Sequence, residues 1–292
     1  MKDGVKKLTL FRFPLAYSFS PLIHQFFGEQ LQIPLEYTQT EVKPGDLKKA
    51  VISFHNEGGI GANVTMPLKE EAFTISDKVT PRAKIAKSVN TFFWKENQLW
   101  GDNTDGIGLL KDITQNHGYS LKDKVICILG AGGAAAGIIA SLEAHLPKEI
   151  IICNRTLERA HELQKRFSSL TVTPKILNFK ELDFPVDWII NTTPLNAFES
   201  LSTLNPIVVK NTFVYEITYS KDGKPLPFTT WALDNEAKKV FDGLGMLVEQ
   251  AAESFSKWFE IDTPETKSVI KQLRNKPLVT IQNFSSQDYN IK

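Results

Sequence analysis

The sequence is poor in cysteine and has almost no excess of either charge, and each shortage excludes a class of protein. It contains 2 cysteines, Cys127 and Cys153, in 292 residues. So few cysteines exclude a disulfide framework, and their spacing is not that of a zinc site. The 34 basic and 33 acidic residues nearly cancel. This balance argues against a nucleic-acid partner. We predict no metal site.

Long apolar runs are also missing. No window approaches the roughly 18 uninterrupted apolar residues that a membrane-spanning helix needs. The first residues, MKDGVKK, lack the apolar stretch of a signal peptide. Both cysteines lie inside apolar segments, where reduced thiols act as small hydrophobic side chains. We therefore expect a cytoplasmic protein with no membrane partner. The length and composition otherwise fit a globular chain of one large or two ordinary domains.

The first half of the chain alternates strand and helix signals. Strands are predicted at residues 7–11, 35–42 and 60–65, and a hairpin at 89–101. A helix is predicted to open at Ser20-Pro21, with Ser20 as its N-cap. The second half begins with a continuous apolar run at 125–129, followed by short strands and helices. Such alternation predicts a doubly wound parallel sheet of the Rossmann type.

A glycine-rich loop follows the apolar run at 125–129. Gly130 permits a tight turn, Gly132 lets the backbone approach a pyrophosphate, and Ala135 packs helix on strand. The helix start offers free amide groups to phosphates. The alternative is a glycine-rich turn that binds nothing. The residues predicted to contact a dinucleotide here are Gly130, Ala131, Gly132, Gly133 and Ala134.

The next predicted strand ends at Cys153 without the acidic residue that an NAD-binding site places there. Arg155 stands there instead, with Thr156 and Arg159 close by. A guanidinium can pair with the 2′-phosphate of NADP. The alternative is that these arginines are solvated residues at a helix start. The absent carboxylate favours NADP.

Lys69 and Asp105 are the candidate catalytic residues. An ammonium, a carboxylate and a nucleotide loop in one chain indicate proton transfer coupled to hydride transfer. The alternative is a structural ion pair.

Five motifs carry a family resemblance: NVTMPLK (63–69), DNTDG (102–106), GAGGAAAG (130–137), NRT (154–156) and DGLGMLVEQA (242–251). In this order, from about residue 11 to 274, the chain resembles the shikimate dehydrogenases. The resemblance implies NADP-dependent reduction of 3-dehydroshikimate to shikimate, in aromatic amino acid (chorismate) biosynthesis, with Lys69 and Asp105 as the acid/base pair. It also implies a discontinuous α/β substrate domain, residues 1–104 and 243–292, beside an NADP-binding domain, 105–242.

The resemblance assigns the remaining site residues. Ser18 and Ser20 match the serines that hold the substrate carboxylate. The other substrate-binding matches are Asn63, Thr65, Asn90, Tyr219 and Gln250. The other cofactor-binding matches are Asn154, Arg155, Thr156, Arg159, Thr192, Gly243 and Met246.

The chain departs from the family pattern at several positions. Arg12 and Tyr17 replace a glycine and a histidine, and Glu216 replaces a frequent aspartate. A glycine usually found shortly after the Asn191-Thr192-Thr193 run is missing. These departures leave open a quinate/shikimate dehydrogenase-like paralogue with a shifted substrate. A non-catalytic nucleotide-binding regulator that kept the fold is a separate alternative. A monomer or a homodimer fits the sequence equally well. The tail after residue 276 has no clear pattern, and we expect it to be loosely held.

Overall fold

A computed structural model describes residues 4–220 and 224–275. The predicted loosely held tail lies outside these residues. Within them, no helix is long and apolar enough to cross a membrane. The described chain forms two six-stranded sheets, one from each half.

The first sheet is mixed. Its strands are β1 (Lys6–Arg12), β2 (Leu35–Glu41), β3 (Gly59–Val64), β4 (Lys78–Val79), β5 (Thr91–Lys95) and β6 (Gln98–Asp102), in the order β2-β1-β3-β5-β6-β4. β1 runs parallel to β2 and β3, whereas β5 is antiparallel to β3 and β6. The predicted hairpin is present. Its two turn residues, Glu96 and Asn97, have φ values of 53° and 57°, as a tight two-residue turn requires.

The helices of the first half connect and cover this sheet. They are α1 (Ser20–Leu31), α2 (Leu47–Asn56), α3 (Lys69–Ile75), α4 (Pro81–Ala86) and α5 (Asp105–Lys111), the last continued by a π-helical turn at Asp112–Asn116. The prediction that Ser20 is the N-cap of α1 is wrong. Phe19 occupies that position, and no side chain caps the helix. Ser20 lies one residue inside, where its amide donates to Ser18 Oγ at 3.2 Å.

The second sheet is fully parallel. Its strands are β7 (Val125–Leu129), β8 (Glu149–Cys153), β9 (Lys175–Leu177), β10 (Trp188–Asn191), β11 (Phe213–Glu216) and β12 (Lys239–Phe241), in the order β12-β11-β10-β7-β8-β9. This is the strand order of a Rossmann sheet, with the reversal between β7 and β10. The predicted fold class is confirmed. The edge strand β9 was not predicted, because its three residues carry no usable pattern.

Helices cover both faces of the second sheet. They are α6 (Gly133–Leu142), α7 (Leu157–Lys165), α8 (Phe198–Leu201) and α9 (Pro227–Asp234). Alternate residues of β7 enter two different cores, with Ile126 and Ile128 on one face and Cys127 and Leu129 on the other. This burial on both faces explains the continuous apolar run. Cys127 and Cys153 are free, buried thiols on the adjacent strands β7 and β8.

The chain then returns to the first sheet. α10 (Leu244–Phe259) follows β12 in sequence but packs against α1 and α5, and α11 (Lys267–Asn275) packs against α10. Trp258 Nε1 near the end of α10 donates to the Phe92 carbonyl of β5 at 2.8 Å. α5 packs closely on both sides. A Cβ on Gly106 would lie 2.2 Å from the Gly137 carbonyl of α6, and one on Gly108 would lie 2.7 Å from Gln250 of α10. α5 therefore packs without a gap against α6 on one side and α10 on the other.

Candidate active site

One cavity of about 600 Å³ lies between the two sheets. It is bounded by the carboxyl ends of β1 and β3, the loops after β10 and β11, and the first turns of α10. Open α/β sheets bind their ligands at such strand ends. The predicted site residues that line it are Ser18, Ser20, Asn63, Thr65, Lys69, Asn90, Asp105, Ala134, Tyr219, Gly243, Met246 and Gln250.

Lys69 and Asp105 form an ion pair in the cavity wall. Lys69 Nζ lies 2.6 Å from Asp105 Oδ2, and the two side chains are 12% and 8% exposed. Each residue is the first of its helix, α3 and α5. The carboxylate of Asp105 therefore lies at a helix N-terminus, where the peptide dipoles favour negative charge. The two predicted catalytic groups are brought within direct proton-transfer distance.

Asn90 fixes the other oxygen of this carboxylate. Its Nδ2 donates to Asp105 Oδ1 at 2.9 Å and to Gln250 Oε1 at 3.2 Å. Its Oδ1 accepts from the Thr104 amide at 2.9 Å. Asn90 thus orients Asp105 as well as lining the cavity, a contact that the sequence pattern had not indicated.

Asn63 is held by protein groups on both ends of its amide. Its Nδ2 lies 3.0 Å from Ser254 Oγ, and its Oδ1 accepts from Tyr37 OH at 2.7 Å. His24 stacks on Tyr37 with ring centroids 4.4 Å apart, and burial lowers the pKa of His24 to about 3. These contacts fix the amide orientation of Asn63 before any ligand binds.

A cluster of hydroxyl groups lies at the start of α1. Ser18 Oγ donates to Ser20 Oγ at 3.0 Å. Tyr219 stacks on Phe19 at a centroid distance of 5.1 Å, and its OH accepts from the Phe19 amide at 3.4 Å. Burial raises the pKa of Tyr219, so its hydroxyl stays protonated. The cluster offers hydrogen-bond donors to an anionic group.

The glycine-rich loop lies at the point where the strand order reverses. Gly130 has a φ of 108°, and a Cβ there would lie 2.6 Å from Thr192 Oγ1 after β10. Gly132, by contrast, faces open space, since a Cβ there would meet nothing within 4 Å. α6 begins at Gly133 beside this space, so the free backbone amides of its first turn lie next to it. The loop thus fits a bound pyrophosphate.

The predicted phosphate-binding residues after β8 lie outside the cavity. Asn154 Nδ2 donates to the Thr156 carbonyl at 2.7 Å, which shapes the turn before α7. Arg155 is exposed, and its Nη1 donates to Ser200 Oγ at 3.1 Å. Arg159 is exposed on α7. These residues lie at the end of the strand next to β7, where the adenosine end of a dinucleotide extends.

Glu216, the replacement for the expected aspartate, is a buried carboxyl group at the end of β11. It accepts hydrogen bonds from Asn191 Nδ2 and from the Thr218 amide. Burial raises its pKa to about 7. Asn191 in turn accepts from the Thr193 amide at 3.1 Å. The group therefore joins the loops after β10 and β11, which both contribute to the cavity wall.

Several residues that line the cavity were not predicted from the sequence, and one that was noted there, Arg12, was given no role. Pro194, Leu195 and Asn196 form a wall after β10, and Leu247 and Thr218 complete it near α10. Arg12 also lines the cavity. Its departure from the family pattern was the signal that could have identified it. Among the described residues, no cluster of His, Cys, Asp or Glu could hold a metal ion.

A Rossmann sheet, a glycine-rich loop at its reversal point and a Lys–Asp pair facing a shared cavity define a dinucleotide-dependent dehydrogenase of the α/β class. The chain belongs to the shikimate dehydrogenase family. The family model for the shikimate dehydrogenase substrate binding domain matches residues 10–92, the shikimate/quinate 5-dehydrogenase model matches 111–194, and the shikimate 5′-dehydrogenase C-terminal domain model matches 243–274. The family prediction is confirmed.

Individual proteins agree with the family models. A shikimate dehydrogenase (NADP(+)) of Aeromonas salmonicida is 40% identical over 270 residues, which cover 92% of this chain and 97% of the relative. The crystal structure of the Ael1 enzyme of Pseudomonas putida is 33% identical, covers 94% of this chain and 99% of its own, and has a TM-score of 0.84. A Thermus thermophilus shikimate 5-dehydrogenase, crystallised with NADP(H) and shikimate, is 28% identical, covers 92% and 99%, and has a TM-score of 0.79.

Proposed function

We propose that this chain catalyses the reversible, NADP-dependent reduction of 3-dehydroshikimate to shikimate, a step in aromatic amino acid biosynthesis. The observation that carries the proposal is the Lys69–Asp105 pair, 2.6 Å apart. It lies in a cavity that also contains the Ser18–Ser20 hydroxyls and the start of α6. The Thermus enzyme, with 28% identity, binds both of the ligands that the proposal requires.

The pair performs the proton transfer. Reduction of the ring ketone adds a hydride, which the nicotinamide cofactor supplies when bound, and leaves negative charge on oxygen. Lys69 donates the proton that neutralises this charge. Asp105 holds the ammonium in place through Oδ2, while Asn90 fixes Oδ1 at 2.9 Å. Because the geometry exists before the ligand binds, little reorganisation is needed during the reaction.

The two ends of the cavity bind different groups of the substrate. Ser18, Ser20 and Tyr219 hold the carboxylate, and Thr65, Asn90 and Gln250 contact ring hydroxyl groups near Lys69. An amide can donate and accept at once, which a hydroxyl partner requires. Asn63 Oδ1 accepts from Tyr37 OH and keeps a lone pair that can accept a hydrogen bond from a ring hydroxyl of the substrate. Asn63 also supports the end of β3.

The cofactor site extends along the ends of the parallel strands. The loop at 130–134 binds the pyrophosphate, and Arg155, Thr156 and Arg159 close on the 2′-phosphate, with Asn154 shaping their turn. Thr192, Gly243 and Met246 contact the nicotinamide end. The described residues of 105–242 form the NADP-binding domain, and those of 1–104 and 243–292 form the substrate domain. We place the enzyme in the cytoplasm, where its two buried thiols stay reduced, as a monomer or a homodimer.

A spectrophotometric assay tests the proposal. The purified protein is given shikimate or quinate, each with NADP or with NAD, and nicotinamide reduction is followed. We expect turnover with shikimate and NADP to be the highest. A preference for quinate would instead support the paralogue with a shifted substrate. Nucleotide binding without turnover on either acid would contradict the enzyme assignment and favour the regulator.

A further inference from the structure

Arg12 brings a positive charge into the cavity wall. It is the last residue of β1 and lines the cavity together with Tyr17, Ser18 and Tyr219. The family pattern has a glycine at this position. Glycine offers no side chain to a ligand, whereas Arg12 offers up to five N–H donors in a planar fork.

The guanidinium has little competition from protein partners. Within the described part of the chain, it makes one hydrogen bond, from Nε to the Pro14 carbonyl at 3.3 Å. Among residues 4–220 and 224–275, Arg12 takes part in no ion pair with a carboxylate. Partial burial lowers its pKa, and the Tyr219 hydroxyl is the neighbouring group that opposes this effect. A half-buried cation without an anion is costly, and a ligand anion removes that cost.

The charges of the cavity lining point to one negative charge on the ligand. The charged residues among its described lining are Arg12, Lys69 and Asp105. Lys69 and Asp105 neutralise each other at 2.6 Å. The positive charge of Arg12 therefore remains. It lies on the side of Ser18, whose Oγ accepts from the Ser20 amide, and of Tyr219, whose OH accepts from the Phe19 amide.

We infer that Arg12 is a substrate-binding residue that pairs with the carboxylate of the ring acid and makes that carboxylate a strict requirement. This inference rests on the proposed function. The serine hydroxyls provide neutral hydrogen bonds to the carboxylate, and Arg12 adds the charge-assisted ones, which are shorter and stronger. The replacement of glycine by Arg12 then raises the selectivity for the acid over neutral analogues, and the reaction itself stays the same.

The test compares an acid with its neutral ester. Wild type, Arg12→Gln and Arg12→Lys are assayed with shikimate and with methyl shikimate, both with NADP. We expect Arg12→Gln to lower kcat/KM for shikimate by about tenfold to a hundredfold, mainly through KM, because it removes a charged hydrogen bond. The ester should be affected little. Arg12→Lys should retain part of the acid preference.

Lys7→Gln is the matched control. Lys7 lies on β1 like Arg12, and its Nζ also donates to a backbone carbonyl, that of Glu57 at 3.1 Å, but it lies outside the cavity lining. It should leave both substrates unaffected. Equal losses on acid and ester in the Arg12 variants would overturn the inference, because a purely structural role predicts that result. Unchanged shikimate kinetics in Arg12→Gln would overturn it as well.

A failure of the proposed function gives a different result. In that case the wild type does not turn over shikimate at all. Equilibrium binding of shikimate and its methyl ester then tests whether Arg12 binds the carboxylate. Weaker binding of the acid alone in Arg12→Gln supports the inference, and equal binding in wild type and variant overturns it. If the glutamine variant does not fold, the same acid-against-ester comparison in Arg12→Lys decides, with an acid-specific loss expected.

Discussion

The proposed substrate cavity and the proposed phosphate-binding edge of the second sheet, formed by Arg155, Thr156 and Arg159 after β8, are built in opposite ways. In the cavity, Asn63, Asn90 and Asp105 are buried and hydrogen-bonded to several protein groups. At the end of β8, Arg155 is exposed and, among the described residues, donates to one hydroxyl, that of Ser200. The cavity is therefore fixed before ligand arrives, whereas the phosphate-binding edge has side chains that can still move.

The roles that we propose for the two regions explain this difference. Proton transfer depends steeply on the distance and direction between reacting groups, so rigid support of Lys69 and Asp105 is favourable. Binding of a phosphate depends on charge and on backbone amides at a helix start, which the fold already supplies at α6. An exposed arginine can then close on the ligand. Substitutions in the two regions should consequently affect different kinetic parameters.

The largest expected effect is on turnover in the cavity. Lys69→Ala removes the proposed proton donor, and we expect kcat to fall by about 10²–10⁴-fold while substrate affinity is largely retained. Steady-state kinetics with shikimate and NADP, together with equilibrium binding of shikimate, measure both quantities. Lys48→Ala, on the exposed side of α2, is the control and should behave as wild type. Near-normal turnover in Lys69→Ala would show that another group moves the proton.

The phosphate-binding edge should respond in cofactor affinity. Arg155→Ala should weaken NADPH binding by about tenfold to a hundredfold, because a charged hydrogen bond to the 2′-phosphate is lost. NADH lacks that phosphate and should bind unchanged, so it serves as the internal control. Fluorescence titration with both nucleotides gives the ratio of affinities. Equal losses for NADPH and NADH, or equal wild-type affinities, would contradict the 2′-phosphate assignment.

A smaller effect is expected at the hydroxyl cluster. Ser18→Ala and Ser20→Ala should each raise KM for shikimate by about tenfold with a smaller change in kcat, since they remove uniform substrate binding. Because Ser20 is not a helix cap, its substitution should not bring the loss of stability that cap removal causes. Thermal unfolding tests this point, and Ser168→Ala on the surface is the control. Unchanged KM in both variants would place the carboxylate elsewhere.

The smallest effect concerns stability as a function of pH. Burial raises the pKa of Glu216 to about 7, whereas a glutamate in an unfolded chain titrates near about 4.3. Between these values the folded state keeps a proton that the unfolded state releases. The free energy of unfolding should therefore fall by roughly 1–3 kcal/mol as the pH rises through this window.

Glu216→Gln tests that expectation, because a neutral amide does not titrate. Urea unfolding at about pH 5 and about pH 8 should show a flatter dependence in this variant than in wild type. Glu36→Gln, at an exposed position of β2, should keep the wild-type slope. The Glu216 assignment fails if wild type and Glu216→Gln have the same slope.

The sequence by itself determined much of the fold and the candidates for the site. The strand at 125–129 begins and ends where the pattern predicted, since a strand buried on both faces needs continuous apolar residues. The glycine-rich turn was recognisable in the sequence because the structure needs a glycine there: Gly130 has a positive φ, and a Cβ would clash with Thr192. Local conformation and burial depend largely on residues that are close in the sequence, so the sequence alone can predict them.

Only the tertiary structure decided which groups meet. Lys69 and Asp105 are separated by 36 residues, and Asn90 and Gln250 by 160, yet both pairs are in hydrogen-bonding contact. Patterns also gave no sign that Asn63 is held by Tyr37 and Ser254, or that Ser20 bonds to Ser18 rather than capping α1. Such contacts depend on how sheets and helices pack across long loops, because hydrogen bonds and charges act over ångströms of space and not over positions in the chain.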